Sequence, residues 1–338
     1  MSSDTVAREI ARGSDERLDR LIVRELGLRG ENVSRASVQR WVEAGRVLVY
    51  GKPCKASALL PAGTEVDVDP APEPSTDVTP DASVLFHIAF EDEHLIVVDK
   101  PAGLVVHPAR GNWEGTLVHG LAAHGLDLVA LAESRDDVSA PPRPGIVHRL
   151  DKGTSGLLVV AKSVAVREGL KLLFASHDID REYVALVVGK AVDRRFDTLH
   201  GRSPGDRTRF TSRGAPVGAK RAITTVRVLE ALAGTTLVAC TLETGRTHQI
   251  RVHLSEQMKT PVLGDPTYGE RPLAREIAAI GDQLGHQALH ARVLGFVHPI
   301  TKKRVRFESE PPADFQAALS AARALGARTP KPRPRTKR

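Results

Sequence analysis

The chain has 338 residues, 41% of them hydrophobic, which is enough to bury one large core and a small one, or two moderate ones, as an ordinary soluble protein does. Its 48 Lys and Arg against 41 Asp and Glu leave a net charge of +7, which fits a polyanionic partner such as nucleic acid without requiring one. Two cysteines far apart argue against a disulfide framework or a thiolate metal site, no run approaches the ~18 apolar residues of a membrane span, and the first residues lack an apolar targeting core, so a reducing cytoplasm is the expected setting.

After an N-terminal extension (1–14), Leu18, Leu21, Ile22 and Leu26 recur at helical spacing. Ser34 is placed to cap a second helix carrying Val38, Trp41 and Val42, and Gly45 ends it. Val47 to Lys52 reads as a strand entering a turn, and residues 60–68 as a second turn and a period-two strand. Arg17, Arg20, Arg35, Arg40, Arg46 and Lys52 give this unit a basic face suited to phosphate contact, although such a face is also an ordinary solvated helix surface. Two basic helices followed by GRVLVYGKPCKAS and PAGTEV resemble the S-four-like RNA-binding domain, here bounded at 15–70. Tyr50 departs from that pattern, standing where the family usually has Asn, which takes the left-handed backbone more readily; its ring is suited to stacking on a base. Residues 71–83 form a Pro-interrupted stretch read as a semi-extended linker.

The remainder, 84–325, reads as one domain followed by a basic, disordered tail at 326–338. Residues 95–100, 156–162, 182–188, 221–232, 236–243 and 305–307 are strand candidates, and residues 165–176 and 247–257 helix candidates. Strands outnumber crossover helices, so the expected fold class is α+β with a mostly antiparallel mixed sheet, joined to the small αβ unit.

The chemistry concentrates in His148-Arg149-Leu150-Asp151-Lys152-Gly153-Thr154-Ser155-Gly156-Leu157. An acid lies among bases and small residues between two apolar runs, 145–147 and 157–161, both read as buried strands, which places Asp151 on the connecting turn. A turn carboxylate there is either a nucleophile or a commonplace turn residue. To act as a nucleophile it must stay ionised, and a carboxylate drawn away from water needs a cation beside it. Residues 242–254, LETGRTHQIRVHL, offer one: with Thr247 as helix cap, Arg251 lies one turn on and faces the same side, and pairs with Asp151. Arg246 enters before the helix and reads as a phosphate contact.

These two segments resemble the active-site signatures of the RluA-type RNA pseudouridine synthases. So do REYVALVVG at 181–189, DKPAGLVVHP at 99–108 (with Asp99 for the common Asn), GDPTYG at 264–269 and ALHARVLGFVHP at 288–299. GNWEGTL at 111–117 is similar to the RluD branch of that family, whereas the aromatic of its AVTxYRV strand is missing from residues 221–228. The resemblance implies the pseudouridine synthase fold and isomerisation of chosen uridines in large-subunit ribosomal RNA. It further implies Asp151 as catalytic carboxylate, Tyr183 packed on the target base, Arg251 holding Asp151 ionised, Arg149 holding the displaced RNA, and Ile250 on the apolar wall of the base pocket. The expected partner is ribosomal RNA, free or in an assembling subunit, bound by a monomer with no membrane contact. The reaction is redox-neutral, and dinucleotide, phosphate-loop, HExxH and CxxC motifs are all missing, so neither a cofactor nor a metal is expected. Two other classes compete: a non-catalytic RNA-binding assembly factor, which would have no use for the acid and its partner, and a glycosylase, which would release free uracil.

Overall fold

The computed structural model describes residues 7–10, 16–29, 33, 35–61, 63–70, 78–108, 111–126, 145–206, 208–214, 216–269 and 274–328. The Ser34 cap, most of the linker and the tail beyond 328 lie outside them. The described chain divides into a small unit ending at Val78 and a large unit beginning at Thr79.

The small unit runs β1 (Ala7–Ile10), β2 (Glu16–Arg17), α1 (Leu18–Leu28), α2 (Arg35–Glu43), β3 (Val47–Val49), β4 (Lys52–Pro53), β5 (Leu59–Leu60) and β6 (Glu65–Val68). Leu18, Leu21, Ile22 and Leu26 form the buried stripe of α1, and with Val38 and Trp41 of α2 they pack on Val47, Val66 and Val68. Spacing of 3.6 on the helices and two on the strands thus produces this core as expected. The residues read as an extension contribute β1, which pairs antiparallel with β6 and extends the sheet. Part of the basic face is tied up in ion pairs: Arg17 and Arg35 both bond the carboxylate of Asp19, which is fully buried, and Arg46 pairs with Asp69 at the surface. Burial pushes the Asp19 carboxyl up, but the bonds from Arg17 and Arg35 outweigh it and hold it below the usual range.

The large unit contains β7 (His87–Glu91), β8 (Leu95–Lys100), α3 (Leu117–Ala123), β9 (Ser155–Ala161), α4 (Val164–Ala175), β10 (Ile179–Val188), β11 (Arg194–Arg202), β12 (Phe210–Thr211), β13 (Val217–Ala231), β14 (Thr235–Leu242), α5 (Gln249–Val252), α6 (Arg275–Leu284), β15 (Leu289–Val297), β16 (Arg304–Glu308) and α7 (Ala313–Arg328). Its sheet has the order β12-β11-β13-β14-β10-β15-β9-β8-β7, with β16 also on β15. Every pairing is antiparallel except β15 with β9, as the excess of strands over crossover helices requires. Leu95, Val97, Leu157, Val159 and Ala161 alternate onto one sheet face and bury Val166 and Leu170 of α4.

In the large unit several expected boundaries shift. The large unit starts before residue 84 because the Asp81 amide bonds His119 of α3 and its carboxylate turns back to Ser83. Helix α7 continues to Arg328, so residues 326–328 belong to it. Residues 145–147 are no strand: Gly145 has a left-handed φ of 68°, and only Ile146 bridges, to Val160. The helix expected at 247–257 is one α-turn followed by a π-helical turn, His253–Gln257.

The parallel junction positions the site. β9 pairs with β15 only at His290–Ser155 and Ala291–Gly156, after which the same edge of β15 takes β16. The loop entering β9, which carries Asp151, therefore sits at a fork in the sheet. Ala291 is also the partner of Tyr183 on β10, so Tyr183, Ala291 and Gly156 lie in one row across three strands. A side chain at Gly156, whose φ is 109°, would bring a Cβ 2.3 Å from the Ala291 carbonyl oxygen.

Candidate active site

The Asp151 loop is held from both sides. The Lys152 carbonyl accepts from the Gly103 amide at 2.8 Å and from Lys100 Nζ at 3.3 Å, and Thr154 N donates to the Asp151 carbonyl at 3.0 Å. Gln287 Nε2 donates to Thr154 Oγ1, and a Cβ at Gly153 would meet the Gln287 side chain at 2.3 Å, so only glycine leaves this anchor undisturbed. Lys100 is fully buried, with its ammonium on the carbonyls of Pro101 and Leu104 as well; burial drags it down to about 7 against the opposing pull of Asp151. The loop at 111–117 also reaches the site, as Asn112 Oδ1 accepts from Lys152 Nζ at 3.1 Å.

Opposite stands Arg251. Its Nη1 donates to Asp151 Oδ2 at 2.9 Å, while Nε and Nη2 grip Asp265 bidentately at 2.7 and 2.8 Å. Burial opposes the charge on Arg251, but the hydrogen bonds and charges of Asp265 and Asp151 prevail and raise its pKa. Burial likewise pushes Asp265 up, and Arg251 with the amides of Thr267 and Tyr268 brings it below its ordinary value. One cation thus joins a buried structural acid and a more accessible acid facing the cavity. The Tyr268 ring lies under the guanidinium, 5.1 Å from its carbon, and Tyr268 Oη shares a 2.9 Å hydrogen bond with His248 Nδ1. His248 Nε2 is 3.9 Å from Asp151 Oδ1, and burial lowers its pKa, so its ring is neutral at pH 7.

Thr247 does not cap the Arg251 helix. His248 occupies the cap position with a left-handed φ of 58°, and buried Gln249 bonds back along the turn instead: its Oε1 accepts from Thr244 Oγ1 and Arg246 N, and its Nε2 donates to Ile223 O and Thr224 Oγ1. Arg251 still points at Asp151, because its orientation depends on the helical turn and on Asp265 more than on the identity of the cap.

Asp151, Tyr183, Arg251, Arg149, Arg246 and Ile250 all line one cavity of about 520 Å³. Tyr183 and Ile250 are buried in its wall, and Arg149 and Arg246 are exposed. Burial pushes the Tyr183 phenol up to about 12, so it is protonated at pH 7. The other four expected RNA contacts belong to the small unit: Lys52 is exposed on β4, Arg40 bonds Ser37, Arg35 bonds Asp19 and Arg46 bonds Asp69, the last two with side chains still more than 40% exposed. Sequence reasoning missed Asp265, Tyr268, Lys100 and His248 as parts of the site. Asp265 and Tyr268 stand in the GDPTYG segment, but nothing in its spacing says that its acid returns to Arg251.

An RNA pseudouridylate synthase family model matches residues 94–256, a stretch that contains Asp151, Tyr183 and Arg251. A ribosomal large subunit pseudouridine synthase D of Neisseria meningitidis is 40% identical over 324 residues, covering 94% of this chain and 81% of that protein. The protein of that name from Zymomonas mobilis is 44% identical over 252 residues, covering 74% of this chain and 76% of its own. Among solved structures, human RNA pseudouridylate synthase domain containing 4 superposes with a TM-score of 0.50 at 26% identity, covering 70% of this chain and 92% of that one. A likeness of this extent, reaching well beyond the matched segment, means that the chain belongs to the RNA pseudouridine synthase family.

Proposed function

We propose that this protein converts uridine to pseudouridine in large-subunit ribosomal RNA, with Asp151 as the catalytic carboxylate. The observation that carries this reading is the Asp265–Arg251–Asp151 chain, of which Arg251 and Asp151 line the cavity. It supplies an oriented carboxylate with its counter-ion already in place, as attack or charge stabilisation at C1′ requires. The target nucleotide leaves its stack at a cost of a few kcal/mol and enters the cavity, where Tyr183 and Ile250 offer apolar faces to the uracil. The N1–C1′ bond breaks, the base turns, C5 bonds to C1′, the C5 proton is lost and N1 gains one. Tyr183, held in its phenol form, can donate a hydrogen bond throughout. The exposed Arg149 and Arg246 engage the displaced RNA backbone, and the half-exposed Arg35, Arg40 and Arg46 with Lys52 add phosphate contacts from the small unit. The ribosomal target follows the names of the relatives above.

Asp151→Asn tests the chemistry, since it keeps size and most hydrogen bonding but removes the charge and the nucleophile. Single-turnover release of tritium from C5 of labelled uridine in the rRNA should fall to background, with RNA affinity unchanged within a few-fold. Near wild-type turnover of the Asn variant removes Asp151 from the mechanism, and free uracil in the wild-type reaction makes the enzyme a glycosylase.

A further inference from the structure

Three arginines among the described residues are buried: Arg167, Arg181 and Arg251. Arg167 pairs with Glu168, and Arg251 with two aspartates. Arg181, 7% exposed, has no carboxylate within ion-pair distance among the described residues. Its Nη2 donates to the main-chain carbonyls of Glu243 at 2.8 Å and Leu242 at 3.5 Å, its guanidinium carbon lies 5.4 Å from the centre of the Phe174 ring, and its Nε is buried without a hydrogen-bond partner. A cation withdrawn from water without a counter-ion opposes folding, and an unsatisfied buried donor adds to that cost. The fold nevertheless makes room for it, because a Cβ at Gly245 would stand 2.7 Å from Arg181 Nη1.

Arg181 stands two residues before Tyr183 on β10, so the two side chains leave the same face, and both line the cavity of Asp151. We infer that Arg181 is a further catalytic residue of the reaction proposed above, one that donates hydrogen bonds to the uracil while the base is detached from the sugar. When N1–C1′ breaks, the bonding electron pair leaves with the base, whose negative charge spreads onto O2 and O4. The charge disappears when C5 returns a pair to C1′, N1 takes a proton and C5 loses one. A guanidinium fixed in a poorly hydrated wall meets that transient anion better than the neutral uracil of the substrate, which is the condition for lowering the barrier. Depth distinguishes this ligand from a phosphate. The RNA backbone meets the exposed Arg149 and Arg246, whereas Arg181 is as buried as the ring of Tyr183.

Arg181→Gln and Arg181→Lys provide the test, assayed by single-turnover conversion of the target nucleotide in RNA carrying uridine or 5-fluorouridine. Fluorine stabilises the departing anion by itself, so it lessens the need for the arginine. With uridine the Gln variant should be slowed about 100-fold to 1,000-fold, the range for loss of one preorganised donor. With 5-fluorouridine the deficit should shrink at least several-fold, and Lys, which keeps the charge, should retain more activity than Gln. RNA affinity and its salt slope should not change. Equal deficits on both substrates, or wild-type rates, overturn the inference, and a reduced salt slope reassigns Arg181 to a phosphate. If Gln does not fold, the substrate dependence of the Lys variant decides. Wild-type enzyme run alongside keeps the outcomes separate: absence of pseudouridine there refutes the activity itself, not the role of Arg181.

Discussion

At the residue scale, Asp265 shows how a group that faces no substrate shapes the chemistry. Two of the three Arg251 bonds described above go to it, and only one reaches Asp151. Asp265→Ala leaves a buried guanidinium with half its partners and frees it to rotate. The expected loss is about 3–5 kcal/mol of stability, read from urea denaturation, together with a fall in turnover at unchanged RNA affinity. Arg251→Met should likewise cost far more in turnover than in affinity, and equal losses would make it a phosphate contact. Tyr50 is a different case. With Gly51 it forms the two-residue turn joining β3 to β4, at φ values of 48° and 70°, and the residue is 63% exposed. Both positions need a left-handed backbone, which Asn takes more easily than Tyr. Tyr50→Asn should therefore raise stability by about 0.5–1 kcal/mol, visible as a higher midpoint of thermal unfolding; a lower midpoint would mean that the ring packs more than its exposure indicates.

At the element scale, the short parallel contact between β9 and β15 holds the Asp151 loop against the strand that faces Tyr183. Gly156→Ala introduces a methyl group into the Ala291 main chain at a φ of 109°. Backbone is unable to yield as a flexible side chain would, so a loss above about 3 kcal/mol is expected, with turnover falling as the loop shifts. Gly115→Ala is the control, since its added Cβ meets nothing within 4 Å and only its left-handed φ of 62° is penalised; it should cost about 1 kcal/mol. Equal destabilisation of the two variants would show that backbone conformation, not the close approach, makes Gly156 necessary.

At the scale of the whole molecule, several buried histidines set the acid limit. His253 is fully buried between Thr198 and Thr224, and burial pulls it down to about 4; burial also lowers His200 and His290. Their folded pKa values lie below the unfolded value of about 6.5, so between roughly pH 6.5 and 4 the unfolded chain binds more protons. Stability is fully present above that window and is lost as the pH falls through it, at up to about 1.4 kcal/mol per pH unit for each such histidine. Urea midpoints measured from pH 7 to 4.5 should fall with an increasing slope, and His253→Gln should flatten it. Each unit has its own core, so removal of residues 1–78 should leave a folded large unit. Its log affinity for rRNA against log salt should lose about 0.7–0.9 of slope per phosphate contact removed, and an unchanged slope would show that the small unit does not touch this RNA.

The sequence by itself determined what depends on periodicity and local chemistry. The stripe of α1, the alternation in β6, the apolar strands β8, β9 and β14, and the antiparallel character of the sheet all follow from spacing. Asp151 as the half-buried acid of a turn and Arg251 as its cation were legible too, because a carboxylate drawn from water demands a nearby charge, and the resemblance of their two segments to family signatures singled them out. Only the tertiary structure decided the rest. No local pattern specifies that β15 leaves β9 after two residues and opens a fork, that Gln249 replaces Thr247 at the turn, or that Asp265 comes back to grip Arg251. Nor does one reveal that Arg181 lacks a counter-ion, which is a property of everything packed around it. Periodicity gives each segment a buried face, whereas the partner of that face is chosen by contacts between segments remote in the chain.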